Sequence, residues 1–291
     1  MTVRRSASSL GSLHLFYKAD VVVFCEGGHA GTTDEALSTS TDGLTLDTIF
    51  WSTMVRHRTP TATYHFKSVG NKDTLKSIAV DVERKGITTV TVCLDSDYDH
   101  ILGGALSFRR VAYTYGYSWE NDVISPIVIQ KILSCLIGPV PPNVASDLLA
   151  ALAQLENDIA PWCEIDIALR AKKKSAIFNR EKPLSCADLT KLPPCLNQAA
   201  LKKQLQACGY VRRPKRVVSV TASTSMRIAF GKLISQLAYH IVIKFAKRCF
   251  PKILMSYSVF VTNAIAHTFS FVGLGQLPDL AKHYSAQLSA F

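Results

Sequence analysis

The sequence predicts an α/β fold, a Rossmann-like parallel sheet flanked by helices, followed by a mostly α-helical, strongly basic C-terminal domain. Three observations predict it. Short apolar runs alternate with amphipathic helical stripes up to residue 137, the pattern of a parallel sheet covered on both faces. The Pro-rich stretch Gly138-Pro139-Val140-Pro141-Pro142 then breaks the chain. Beyond it, apolar residues recur at helical spacing and the excess of positive charge is concentrated. The expected organisation is an N-terminal segment (1–20), an α/β domain (21–137) and a helical basic domain (143–291).

Residues 21–25 (VVVFC) are a continuous apolar run that stops at Glu26-Gly27-Gly28, as a buried parallel strand ending in a turn would. Residues 29–44 are rich in Gly, Thr and Ser and read as a loop inserted before a helix that opens near Leu46. Leu46, Ile49, Phe50 and Met54 fall on one face of that helix. Residues 61–67 (TATYHFK) alternate as a strand. Gly70-Asn71-Lys72 leads into a second helix, striped by Leu75, Ile78, Ala79 and Val82, with Asn71 as its N-cap. The third strand, Thr88–Leu94, runs into Asp95-Ser96-Asp97-Tyr98-Asp99. The fourth, Arg110–Tyr115, precedes Ser118-Trp119-Glu120-Asn121-Asp122, and Ser125-Pro126 opens another helix. Past the break, Leu148, Leu149, Leu152, Leu155 and Ile159 form a helical stripe, Gly209 ends a later helix, and apolar-basic segments follow at 224–248 and 253–272. Residues 253–275 lack charge, but Ser256, Thr262, Asn263, Thr268 and Ser270 dilute them, so a buried helix is expected rather than a membrane span.

Of 291 residues, 48% are hydrophobic and 19% charged, which supports a real core and excludes a disordered chain. The eight cysteines are scattered, with no C-x-x-C pair or Cys/His cluster, which argues against a disulfide framework and a zinc site. The first twenty residues lack an apolar run of signal-peptide length, and the expected location is cytoplasmic. The net charge of +11 is unevenly distributed: residues 1–167 hold 13 basic and 19 acidic side chains, whereas residues 168–252 hold 19 basic against only Glu181 and Asp188. Such a block attracts polyanions by counterion release. Its densest clusters are Lys172-Lys173-Lys174 and Arg212-Arg213-Pro214-Lys215-Arg216. They suit contacts to a nucleic-acid backbone, or docking to the acidic surface of a protein partner.

In open α/β sheets ligands bind beyond the carboxyl ends of the strands. Three of the four expected strands end in acids: Glu26 after the first, Asp95, Asp97 and Asp99 after the third, and Glu120 and Asp122 after the fourth. Clustered carboxylates repel unless a cation neutralises them, and hard oxygen donors select Mg²⁺ or Mn²⁺. An acidic metal site beside a basic domain fits a phosphodiester substrate. Acids after strands also cap helices, which is the competing role for Asp99 and Asp122.

A strand ending in Glu-Gly, a strand ending in Asp-x-Asp and the βαβ units between them resemble a Toprim domain of the OLD-like nuclease group. The run Leu46-Asp47-Thr48-Ile49-Phe50-Trp51, the turn Gly70-Asn71-Lys72 and the run Tyr117-Ser118-Trp119-Glu120-Asn121 are similar to that group's stand-alone members, with about 17 extra residues ahead of Asp47. The resemblance covers residues 21–137 and implies a metal-dependent endonuclease. Asp95 and Asp97 would bind Mg²⁺, Glu26 would be a metal ligand or the general acid/base, and Asp47 and Glu120 would be further ligands. Lys72 at a helix N-terminus would bind phosphate. No Walker A motif is present. A Toprim chain without its ATPase half is similar to the effector of the PARIS anti-phage defence system. That likeness implies a toxic nuclease that cuts tRNA, restrained by a separate ABC-type ATPase and acting as a homodimer, away from membranes. The alternatives are a non-catalytic nucleic-acid-binding or sensor subunit and, more distantly, a haloacid-dehalogenase-type phosphatase using Asp95.

Overall fold

The computed structural model of the chain describes residues 7–27, 45–289 and 291. The loop expected at 29–44 lies outside them. In chain order the first elements are α1 (Leu13–Tyr17), β1 (Val21–Cys25), α2 (Leu46–Arg58), β2 (Tyr64–Ser68), α3 (Lys72–Arg84), β3 (Val90–Leu94), α4 (Asp99–Leu102) and β4 (Val111–Tyr113). They are followed by α5 (Trp119–Val123), α6 (Pro126–Ile137), α7 (Pro142–Ala171), β5 (Ala187–Asp188), β6 (Cys195–Leu196) and α8 (Gln198–Ala207). The last are α9 (Ala222–Ile228), α10 (Gly231–Cys249), α11 (Tyr257–Gly273) and α12 (Pro278–Gln287). The chain forms two compact units: residues 1–96, 105–115 and 269–291, and residues 97–104 and 116–268.

The first unit holds a four-stranded sheet in the order β2-β1-β3-β4, every neighbouring pair parallel. All five residues of β1 and all five of β3 are buried, which is why these strands carry no polar alternation. Val22, Phe24, Val90, Val92, Leu94 and Val111 share a core with Leu10, Leu13 and the α3 stripe Leu75, Ile78, Ala79 and Val82. Asn71 caps α3 as the sequence predicts, its side-chain oxygen accepting the Thr74 N–H at 3.0 Å. Asn71→Ala is expected to cost about 1 kcal/mol in urea denaturation, and an unchanged midpoint would refute the cap.

The inner face of α2 differs from the expected one. Leu46 and Ile49 are only half-buried, whereas Thr48, Phe50, Trp51, Met54 and Val55 are buried. The reason is the C-terminal segment: Phe50 meets the rings of Phe269 and Tyr284, and Trp51 meets Tyr284, with centroids 5.9–6.1 Å apart. The same segment covers the β4 edge. The Tyr113 N–H donates to Gln287 Oε1 at 3.0 Å, and His283 Nε2 donates to the Tyr113 carbonyl at 2.8 Å. Side chains of α12 thus occupy backbone groups that an open edge would expose.

The second unit is helical apart from a two-stranded antiparallel pair, β5 with β6, that the sequence reading did not anticipate. The 30-residue α7 buries Leu148, Leu152, Leu155 and Ile159, but Leu149 points outward. Helix α9 packs on α7, and α10 packs on α5, α6 and α7. Helix α11 buries one face, through Phe260, Val261, Ala264, Ile265, Phe269 and Val272, rather than its whole circumference. Among the described residues no single helix is long and apolar enough to cross a membrane.

Candidate functional site

Within the first unit, the apolar run of β1 delivers Glu26 to the carboxyl edge of the sheet, where Gly27 turns the chain at φ 105°. The Gly27 N–H donates to the Gly70 carbonyl at 3.1 Å, tying the turn after β1 to the turn after β2. Glu26 Oε1 accepts the Asp95 N–H at 3.1 Å, so the first acid spans from β1 to the residue that follows β3. Asp47 arrives through helix capping. Thr45 Oγ1 accepts the Thr48 N–H at 3.2 Å and lies 3.0 Å from Ser68 Oγ, which fixes the start of α2 over the end of β2. Asp47 Oδ2 then lies 3.6 Å from where a Cβ on Gly27 would stand.

Cys25, fully buried at the end of β1, reports the result. Its thiol is pushed far up, first by burial, then by the charge of Asp47 and also by Glu26 and Asp95. Three carboxylates therefore act on one point at the sheet's carboxyl edge. Their hard oxygen donors suit Mg²⁺ or Mn²⁺. Their arrangement is not a finished ligand shell, because among the described residues no three His, Cys, Asp or Glu side chains are grouped to hold one ion. The Glu26 oxygen bonded to the Asp95 backbone shows one donor already engaged. Lys72 is the first residue of α3, half-buried beside the capped helix N-terminus.

Asp97, Asp99, Glu120 and Asp122 belong to the second unit. Asp97 adopts a left-handed backbone, φ 46°, which aspartate tolerates better than most residues, and its N–H donates to the Tyr117 carbonyl at 2.6 Å. Burial, then the charge of Asp97, push the Tyr117 hydroxyl far up, and that hydroxyl bonds both Asp97 and Arg180. The Arg180 guanidinium lies over the rings of Tyr117 and Phe230, 5.9 and 5.8 Å from their centroids. Burial works against its charge, but Tyr117, Asp97 and Asp166 outweigh this and hold its pKa above the usual arginine value. The sequence reading missed Arg180, which stands in no cluster or motif. It also missed Lys67, 1% exposed in β2, although its register opposite Phe24 places it on a core-facing position.

The remaining acids are held by local hydrogen bonds. Glu120, 5% exposed, accepts from Ser118 Oγ at 2.5 Å, and its Oε2 lies 3.2 Å from where a Cβ on Gly231, the first residue of α10, would stand. The Asn121 amide donates to the carbonyls of Met226 and Ala229 at 2.6 and 2.9 Å, and Asp122 Oδ1 accepts the Gly116 N–H at 2.6 Å. Asp122 thus holds the turn ahead of α5 rather than capping a helix, and Asp99 opens the short α4. His100 follows Asp99 within α4, in no group that could hold a metal among the described residues.

One buried acid on α7 escaped the sequence reading. Asp166 accepts Tyr98 Oη at 2.8 Å and the Ile177 N–H at 2.7 Å, and burial raises its carboxyl pKa despite those bonds. The folded state therefore binds this proton more readily than the unfolded state, so the contribution of Asp166 to stability falls as pH rises from the ordinary value of 3.8 through the raised one. Urea denaturation from pH 4 to pH 7 is expected to show wild type losing stability relative to Asp166→Asn as pH rises. Wild type gaining stability relative to Asp166→Asn as pH rises would refute this.

The basic clusters also lie in the second unit, and the fold brings them together. Lys172, Lys173 and Lys174 follow α7 and are exposed, as are Arg212, Arg213, Lys215 and Arg216. The Lys172 ammonium sits 5.4 Å over the Tyr210 ring and covers that face. Arg213 lies 6.0 Å over Trp162, and Arg216 pairs with Glu164 at 3.0 Å. All eight cysteines are free thiols. No family model matches the chain, and no curated protein matches it.

Proposed function

We propose that this protein is a metal-dependent endonuclease of Toprim type that cleaves phosphodiester bonds in RNA, with tRNA as its substrate. The observation that carries the reading is the gathering of Glu26, Asp47 and Asp95 at the carboxyl edge of a parallel sheet, with Glu26 bonded to the Asp95 backbone. These three side chains would hold Mg²⁺ or Mn²⁺, which when bound polarises a phosphate oxygen and lowers the pKa of water. Alternatively Glu26, at the turn after β1, would be the general acid/base that takes or returns the proton. For Asp97 and Glu120 a metal role rests on the resemblance alone, since each is held by hydrogen bonds of the second unit. The same resemblance supports an anti-phage effector acting as a homodimer and restrained by a separate ABC-type ATPase.

The test is to incubate the purified protein with tRNA, total RNA and plasmid DNA in Mg²⁺, Mn²⁺ or EDTA. Discrete RNA fragments that vanish in EDTA support the reading, and fragments that persist in EDTA refute its metal dependence. The exposed clusters Lys172–Lys174 and Arg212–Arg216 support one second reading, a non-catalytic nucleic-acid-binding or sensor subunit. It predicts salt-sensitive RNA binding with no fragments at any metal concentration.

A further inference from the structure

Several of the cations around the two clusters already have intramolecular work. Arg213 covers Trp162, Arg216 pairs with Glu164, and Lys172 covers Tyr210. These contacts fasten the 210–216 segment to α7. Cys208 Sγ, at the end of α8, reaches the Ser175 carbonyl at 3.6 Å and fastens α8 to the chain leaving α7. Clusters nearly 40 residues apart in sequence are thereby neighbours, and α8 adds exposed Lys202 and Lys203, which belong to neither cluster. Among the described residues Lys173, Lys174, Lys202, Lys203, Arg212 and Lys215 are in no ion pair.

We infer that these six side chains form one continuous surface that binds the phosphodiester backbone of RNA, while Lys172, Arg213 and Arg216 hold its shape. The inference deepens the proposed function and rests on its choice of RNA, but it concerns binding and not the cut. Two features favour nucleic acid over an acidic protein. Stable protein interfaces are built round a desolvated apolar centre. Here Trp162 is buried and the Tyr210 face is covered, and the exposed apolar side chains of the loop are the small, separated Val211 and Val217. Unpaired cations on flexible stems, by contrast, suit phosphates that need no fixed partner geometry. The surface should therefore bind RNA with little regard to sequence.

The experiment is fluorescence anisotropy with labelled tRNA from 50 to 300 mM salt, in the full chain carrying Glu26→Gln so that cleavage does not intrude. Against it stand K173Q/K174Q/R212Q/K215Q and a control of equal charge loss, R84Q/K131Q/K252Q/K282Q, each checked for an unchanged melting temperature. The first variant is expected to weaken binding at least about tenfold and to reduce the slope of log affinity against log salt by about 3 to 4. The control should change the slope by less than about 1. Equal losses in both variants, or an unchanged slope in the first, would overturn the inference, as would tight binding of an acidic polypeptide in preference to RNA. Retained binding with no cleavage by the wild-type chain would sink the nuclease reading and leave this surface standing.

Discussion

Glu26→Gln is expected to lower RNA cleavage by about 10²- to 10⁴-fold, the usual weight of a group that transfers a proton in the transition state, with little change in melting temperature. The substitution separates charge from architecture. Glu26 Oε1 accepts the Asp95 N–H at 3.1 Å, and a glutamine carbonyl can accept the same bond, so the link from β1 to the end of β3 survives. What is lost is one of the carboxylates acting on Cys25. Glu26→Ala should be as inactive but less stable, because the half-buried Asp95 N–H just past β3 loses its acceptor. Parallel single-turnover cleavage and thermal melts check both. Wild-type activity in Glu26→Gln would remove Glu26 from the chemistry.

The largest effect on stability is expected at Gly231. A Cβ there would stand 2.0 Å from Ser118 Oγ, 2.7 Å from Asn121 Oδ1 and 3.2 Å from Glu120 Oε2. No real side-chain carbon sits that close to an oxygen, so α10 or the Ser118–Asn121 turn must shift. Ser118, Glu120 and Asn121 are all buried, and the Asn121 amide also fastens Met226 and Ala229. A shift therefore breaks several bonds together. Gly231→Ala is expected to cost about 3 kcal/mol, within the range for overpacking that also unseats a buried hydrogen-bond network. Urea denaturation monitored by tryptophan fluorescence measures it, and a loss below about 0.5 kcal/mol would show that the helix start has room.

The sheet was legible because runs such as VVVFC and VTVCL have no comfortable place except a strand buried on both faces. Asn71 was legible because capping is local. The face of α2 was not, since it is set by Phe269 and Tyr284 from more than 200 residues away, and no periodicity in 46–58 carries that information. The cover on β4 by Gln287 and His283 is hidden for the same reason. At the site, the acids after β1 and β3 could be read from strand ends. Their separate surroundings could not: Asp122 serves a turn, Glu120 from α5 faces Gly231 at the start of α10, and Asp97 engages Tyr117 through contacts long in sequence. Arg180 carries no local signal at all, and its role follows from the rings it covers and the Tyr117 hydroxyl it bonds.

The acids at the carboxyl edge of the sheet are proposed to cut RNA with a divalent metal. The most direct measurement is the fragment pattern from total RNA with wild type and Glu26→Gln, each with Mg²⁺ and with EDTA, at protein concentrations matched by melting curves. Discrete fragments are expected from wild type with Mg²⁺ alone. The same fragments from Glu26→Gln, or from wild type in EDTA, would contradict the proposal.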